Sequence, residues 1–199
     1  KTPKPFKQVY IVGGFINNHF IPALYLLLPN HETATYKVVY QFLKTNITKV
    51  PKKIVMDFER TVLQAVDVVY EGTVGISGCH FHFENNLEKQ IRKKGCLKLF
   101  NDSEPFKYAV RMLRSLVYCP PGFVTDLFTK VILQYINEQK LENCPEMKEF
   151  FKYFVNTYIG LTKRRGRHPP MFGLDTWSLY HEIVYDTPTT NNGLEQWNG

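Results

Sequence analysis

The sequence predicts an α/β fold followed by a block of helices, and two patterns of apolar residues indicate this. Over about the first 80 residues, short apolar runs alternate with apolar positions at helical spacing, in the order β-β-α-β-α-β. Amphipathic helical patterns then follow one another for roughly a hundred residues. Of the 199 residues, 44% are hydrophobic and 15% aromatic, which is ample for a core. We therefore expect a globular protein of one large domain or two small ones.

The α/β part begins with two β-branched and aromatic runs joined by the turn-forming residues Asn17, Asn18 and His19, which predicts a β-hairpin. Alternating helical and strand patterns follow this hairpin. The predicted elements, in order, are the hairpin over 9–15 and 20–28, a helix over 36–43, a strand ending at Asp57, a helix over 58–69 and a strand over 73–77.

The helical block is predicted to start with a basic helix that ends at Gly95. Pro120, Pro121 and Pro145 separate the later helices, because proline breaks a helix interior. The predicted helices cover residues 83–94, 106–117, 124–135 and 147–158, and they are followed by a basic loop over 162–173 and the start of a final helix over 189–195.

The net charge of +7 is unevenly spread along the chain. One cluster of cations contains Lys89, Arg92, Lys93, Lys94 and Lys98, and a second contains Lys163, Arg164, Arg165 and Arg167. Clustered cations favour a polyanion partner such as nucleic acid, because phosphates release counterions when a protein neutralises them. A solvated helix face plus a basic loop explains the same residues, and charge alone does not decide between the two.

The cysteines and the apolar runs indicate the redox compartment of the protein and its relation to membranes. The four cysteines are widely spaced, form no CxxC pair and follow no secretory leader, which predicts free thiols in a reducing compartment. The longest apolar run, residues 20–28, is interrupted by Pro22 and is shorter than the ~20 residues that a membrane span needs. We therefore expect no membrane partner.

Two short segments carry groups that could hold a metal or move protons. Asp57 ends an apolar strand and precedes a helix, where α/β sheets place ligand-binding groups, although a carboxylate there can also cap the helix. Cys79 and His82 share a face if a helix or turn starts there, whereas a continuing strand puts His80 and His82 on one face. No second Cys/His pair at zinc-finger spacing exists in the sequence, so we do not expect a closed structural zinc site.

Glu195 follows Asn192 at the spacing of a capping box. Taken alone, Glu195 is therefore better interpreted as a helix-capping residue than as part of a site.

Three segments considered together change this interpretation. They are Met56-Asp57-Phe58-Glu59, Gly78-Cys79-His80-Phe81-His82 and Thr190-Asn191-Asn192-Gly193-Leu194-Glu195-Gln196-Trp197. Their order and spacing resemble the Mutator-like element (MULE) transposase domain, which belongs to the DDE superfamily and has an RNase H-like fold. The resemblance extends over the whole chain, including residues 22–30 and Tyr36.

The resemblance implies an α/β fold with an RNase H-like mixed sheet and an all-helical insertion before the last helix. Residues 1–82 would form the core strands and helices, residues 83–188 the insertion and the basic loop, and residues 189–199 the start of the final core helix. Residues 1–7 resemble the segment that follows the family's first strand. We therefore expect that strand, with the first of the family's three acids, to lie upstream of residue 1.

The resemblance also assigns roles to individual residues. Asp57 matches the second acid of the family and Glu195 the last, so both would be catalytic and would bind Mg²⁺ or Mn²⁺. Cys79 and His82 match a CxxH motif that supports the active site. The cations of both clusters would contact DNA phosphates.

The expected function is metal-dependent cleavage of DNA at transposon ends and strand transfer into target DNA by a nuclear protein, with a homo-oligomer as one expected assembly. The first alternative is a domesticated relative that keeps the fold as a DNA-binding or regulatory module without catalysis. The second is a metal-dependent RNase H-like nuclease, which would cleave DNA without joining strands.

Overall fold

The chain folds into a mixed α/β structure, which confirms the fold class expected from the apolar patterns. The computed structural model describes residues 2–16, 19–163 and 166–185. These residues divide into two compact units, of which the first extends to Phe81 and the second begins at His82.

The first unit contains four strands and two helices. They are β1 (Gln8–Ile16), β2 (His19–Leu28), α1 (Thr33–Asn46), β3 (Lys53–Met56), α2 (Arg60–Tyr70) and β4 (Gly75–Gly78). β1 and β2 pair antiparallel as the predicted hairpin, with a register irregularity between Val12 and Gly13. β3 and β4 pair parallel, and Met56 lies opposite Gly78.

Helices α1 and α2 hold the two strand pairs on one hydrophobic core. Their buried side chains recur every three or four residues, so each helix presents one apolar face. The core contains Tyr36, Val39, Tyr40, Leu43, Val62, Ala65, Val66, Val69 and Tyr70 from the helices, and Tyr10, Val12, Leu24, Leu26, Ile54 and Ile76 from the strands pack against it. In the described residues the β1–β2 pair and the β3–β4 pair are not hydrogen-bonded to each other. The single mixed sheet of an RNase H-like fold therefore stays a prediction.

The second unit is mainly helical. Its elements are α3 (His80–Lys93), α4 (Leu97–Asp102), α5 (Glu104–Ser115), α6 (Pro121–Leu127), α7 (Leu133–Glu138), α8 (Pro145–Phe154), β5 (Leu161–Lys163), β6 (Gly166–His168), α9 (Leu174–Trp177) and α10 (Tyr180–Val184). Helix α3 starts two residues before the unit does. Short 3₁₀ turns at Leu116–Tyr118 and Leu141–Asn143 follow α5 and α7.

Several boundaries in this unit differ from the sequence-based expectations. The helix predicted over 124–135 is interrupted by a π-helical turn at Phe128–Ile132, and the last amphipathic helix ends in a second one at Val155–Ile159. The prediction of a basic loop over 162–173 was wrong in part, because β5 and β6 pair antiparallel there. A strand pattern of three residues is too short for apolar periodicity to reveal.

Aromatic rings form the centre of the second unit. The ring of Phe83 stacks on that of Trp177 with centroids 5.6 Å apart and planes within 3° of each other. Tyr158 packs edge-on against Phe83, and its carbonyl accepts a hydrogen bond of 3.0 Å from the indole Nε1 of Trp177. The buried indole N–H is therefore satisfied, and α3 is tied to α9 through large apolar surfaces.

Removing the Phe83 ring should destabilise this unit. We expect Phe83→Ala to lower the free energy of unfolding by about 3–5 kcal/mol, because the fully buried ring leaves a cavity beside Trp177. Urea denaturation followed by circular dichroism measures the change. Phe123→Ala is the matched control: its ring is 65% exposed, so the same substitution should cost less than about 0.5 kcal/mol. Equal effects of the two variants would contradict the assignment of Phe83 to the core.

Candidate functional site

The parallel pairing of β3 and β4 brings two of the predicted site residues to one edge. Asp57 directly follows β3, and Cys79 directly follows β4. The N–H of Cys79 donates a 2.8 Å hydrogen bond to the carbonyl of Met56, which extends the pairing to the end of both strands. Asp57 and Cys79 therefore leave the carboxyl ends of adjacent parallel strands, the position where open α/β sheets carry binding groups.

A tight turn directs the chain away from β3 after Asp57. The N–H of Glu59 donates to the carbonyl of Asp57 at 2.7 Å, and α2 begins only at Arg60. The residue at the N-cap position of α2 is Glu59, two residues after Asp57. The ring of Phe58 lies against Gly78, where a Cβ atom would stand 2.2 Å from Cζ. This contact fixes the turn against β4.

Tyr10 of β1, which is half-buried, pairs with the buried Tyr40 of α1. The hydroxyls of Tyr10 and Tyr40 are 2.7 Å apart. Burial raises the pKa of Tyr10 far above its usual range, and the adjacent Tyr40 and the negative charge of Asp57 add to this effect.

A second hydrogen-bonded group surrounds Glu59. The hydroxyls of Tyr36 and Thr61 both donate to Glu59 Oε1 at 3.0 Å, and Nε2 of Gln8 donates to the Tyr36 hydroxyl at 2.7 Å. Burial raises the pKa of Tyr36 to about 12, with the bond from Gln8 opposing the rise and Glu59 reinforcing it. His31 Nδ1 lies 3.6 Å from the same Glu59 oxygen. Sequence reasoning missed this group, because Gln8, Tyr36 and Glu59 are far apart in the chain and share no motif.

The structure also decides the backbone conformation of the CxxH segment. Helix α3 begins at His80, so Cys79 immediately precedes the helix and His82 lies in its first turn. Of the two conformations left open by the sequence, this is the helix start. Cys79 is fully buried.

The described residues offer few ligands for a divalent metal ion. Magnesium and manganese prefer oxygen ligands, so Asp57 suits them and the Cys79 thiol does not. Glu195, the other predicted ligand, lies outside the described residues. Within residues 2–16, 19–163 and 166–185, no three His, Cys, Asp or Glu side chains are grouped so as to hold a metal ion.

The first cluster of cations lies on α3 and α4. Lys89, Arg92, Lys93 and Lys98 are exposed. Lys94 is half-buried, and its Nζ lies 3.5 Å from Glu149 Oε2, so its charge is already paired. In the second cluster, Lys163 belongs to β5 and Arg167 to β6, whereas Arg164 and Arg165 lie outside the described residues.

Comparison of the chain with family models, with curated proteins and with solved structures finds no match. Among the helices of the described residues, none has the length and apolar character to cross a membrane. The transposase resemblance therefore stays a prediction.

The contact between Phe58 and Gly78 can be tested by mutation. We expect Gly78→Ala to destabilise the protein by about 1–3 kcal/mol, because the new methyl group overlaps the Phe58 ring. In a Phe58→Ala background the same substitution should cost much less, and a double-mutant cycle in urea denaturation measures the difference. Gly14→Ala is the control, because a Cβ there meets no atom within 4 Å. Additive effects of the two substitutions would show that the ring does not constrain Gly78.

Proposed function

We propose that this chain is the catalytic-core region of a Mutator-like DNA transposase, acting in the nucleus to cut DNA at transposon ends and to join 3′ ends to target DNA. The observation that carries the proposal is the placement of Asp57 and Cys79 at the ends of adjacent parallel strands. Two of the segments that resemble the family are thus neighbours in the fold.

Asp57 and Glu195 would hold Mg²⁺ or Mn²⁺ in this proposal. Such ions, when bound, activate a water or hydroxyl nucleophile and stabilise the leaving oxygen at a phosphodiester. Asp57 contributes a hard oxygen donor at a fixed point of the backbone, since the carbonyl of Met56 accepts from the N–H of Cys79 and the ring of Phe58 lies against Gly78. Cys79 and His82 would support the site from the β4–α3 junction.

DNA binding is supported by the exposed cations of α3 and α4. Arg92 and Lys93 stand in the last turn of α3, where cations also complement the partial negative charge of the helix terminus. The same surface supports the alternative of an inactive DNA-binding module, because binding needs these cations and no acid.

Salt dependence provides a test of the phosphate contacts. We expect Lys89→Ala combined with Lys93→Ala to weaken binding of duplex DNA and to reduce the slope of log affinity against log salt by about 0.9 for each phosphate that is no longer neutralised. Fluorescence anisotropy at several salt concentrations measures both quantities. Lys148→Ala, at an exposed position of α8, is the matched control and should leave the slope unchanged. An unchanged slope in the double variant would remove α3 from the DNA interface.

A cleavage assay separates the enzyme from the inactive module. We expect the full-length protein to nick plasmid DNA in the presence of Mn²⁺ or Mg²⁺, and Asp57→Asn to lower the rate by at least about 10²-fold, because the amide is a much weaker ligand than the carboxylate for the metal ion. Asp67→Asn, on the exposed side of α2, is the control and should keep full activity.

The outcomes discriminate between the candidates. Metal-dependent nicking that survives Asp57→Asn would overturn the assigned site. DNA binding without any nicking would favour the inactive module, and cleavage without strand joining would favour an RNase H-like nuclease.

A further inference from the structure

A pocket of about 160 Å³ lies between α3, α4 and α5 of the second unit. Its apolar lining comes from Ile91, Leu97 and Phe100, while Arg92 and Asn101 contribute a guanidinium and an amide. This volume is below the roughly 300–1,000 Å³ of a typical small-molecule site. The pocket therefore suits one flat ring rather than a whole cofactor.

The walls of the pocket are held in place by contacts within the unit. The ring of Phe100 meets that of Phe106 edge to face, with centroids 6.3 Å apart. Arg114 Nε lies 3.0 Å from Glu84 Oε2, and its Nη2 lies 3.5 Å from Glu88 Oε1. The Glu84 contact is a charge pair rather than a hydrogen bond, because the N–H is not aligned with the oxygen. A pocket with fixed walls needs little further ordering when a ligand binds.

The lining of the pocket combines apolar side chains with charged ones. Glu88 and Arg114 both line it, with Arg114 Nη2 3.5 Å from Glu88 Oε1, whereas the exposed Arg92 adds a further positive charge to the lining. Two further exposed cations follow lining residues directly in the chain. Lys93 follows Arg92 on α3, and Lys98 follows Leu97 on α4. The arrangement is an apolar slot next to an electropositive surface.

We propose that this pocket receives a nucleobase from an unpaired DNA strand, while Lys89, Lys93 and Lys98 bind the flanking phosphates. The inference rests on the proposed function, in that it assumes DNA as the partner. Phe100 supplies an aromatic face on which a base stacks, and the planar guanidinium of Arg92 supplies a second surface of the same kind. The Asn101 amide can donate to and accept from the polar edge of the base. Bases inside a duplex are stacked and paired, so the ligand is single-stranded.

Removing bases while keeping phosphates tests the pocket. The probe is single-stranded oligothymidylate of about 16 nucleotides, compared with a strand of equal length in which several bases are replaced by abasic sites. We expect the wild-type chain to bind the intact strand about tenfold more tightly than the abasic one. Phe100→Leu keeps an apolar side chain but loses the aromatic face, so it should remove this difference and leave binding of the abasic strand unchanged. Phe123→Leu, at an exposed ring of α6, is the matched control.

Photocrosslinking gives a readout that does not depend on affinity. A strand carrying 5-iodouracil should crosslink on irradiation to the peptide that contains Phe100, and mass spectrometry identifies that peptide. Equal affinity for intact and abasic strands, or crosslinks only at other peptides, would overturn the pocket while leaving DNA binding intact. Failure to bind intact strand, abasic strand and duplex alike would instead overturn the proposed function, and the pocket assignment with it.

Discussion

The parallel pairing of β3 with β4 is the constraint on which the candidate site depends. Parallel strands need a crossover between them, and α2 provides it by packing its apolar face on the core. The register sets Met56 opposite Gly78, so the residues after both strands lie side by side. A slip of one residue would reverse the faces of β4 and would bring a side chain, in place of Gly78, under the Phe58 ring. Without this register, Asp57 and Cys79 would not lie side by side.

Side-chain hydrogen bonds link the hairpin to α1. Gln8 and Tyr10, both on β1, bond to Tyr36 and Tyr40 on α1 at 2.7 Å. Burying hydroxyls is costly unless each has a partner, and these are paired with one another or with Gln8 and Glu59. Because such bonds have strict geometry, they align β1 with α1 more specifically than apolar contacts do. The buried Tyr36 also donates to Glu59 Oε1, so the core shares a hydrogen bond with the residue two positions after Asp57.

The sequence predicted the long periodic elements well. It predicted the short elements, and the hydrogen bonds between residues distant in the chain, poorly. The hairpin and the amphipathic helix α2 follow from alternating or helically spaced apolar residues, which single-sequence patterns report directly. The start of α3 at His80 was predicted three residues late, because aromatic residues fit a strand as well as a helix. The π-helical turns and the β5–β6 pair carry no apolar signature of their own. The position of Asp57 at a strand end could be predicted from the apolar run before it, whereas the bonds among Gln8, Tyr36 and Glu59 depend on tertiary packing that no local pattern encodes.

The two parts of the proposed function depend on different parts of the chain. Phosphate binding requires cations that are not neutralised, and the structure separates these from the paired ones: Lys94 and Arg114 are engaged by glutamates, whereas Arg92 is exposed. In the proposed function, catalysis would instead depend on Asp57, which the β3–β4 register and the Phe58 contact position in the first unit. A substitution at Asp57 would then end cleavage, while the exposed cations of the second unit would be unchanged. Under that proposal, an inactive DNA-binding module would be one substitution from an active enzyme, and both could have the fold described here.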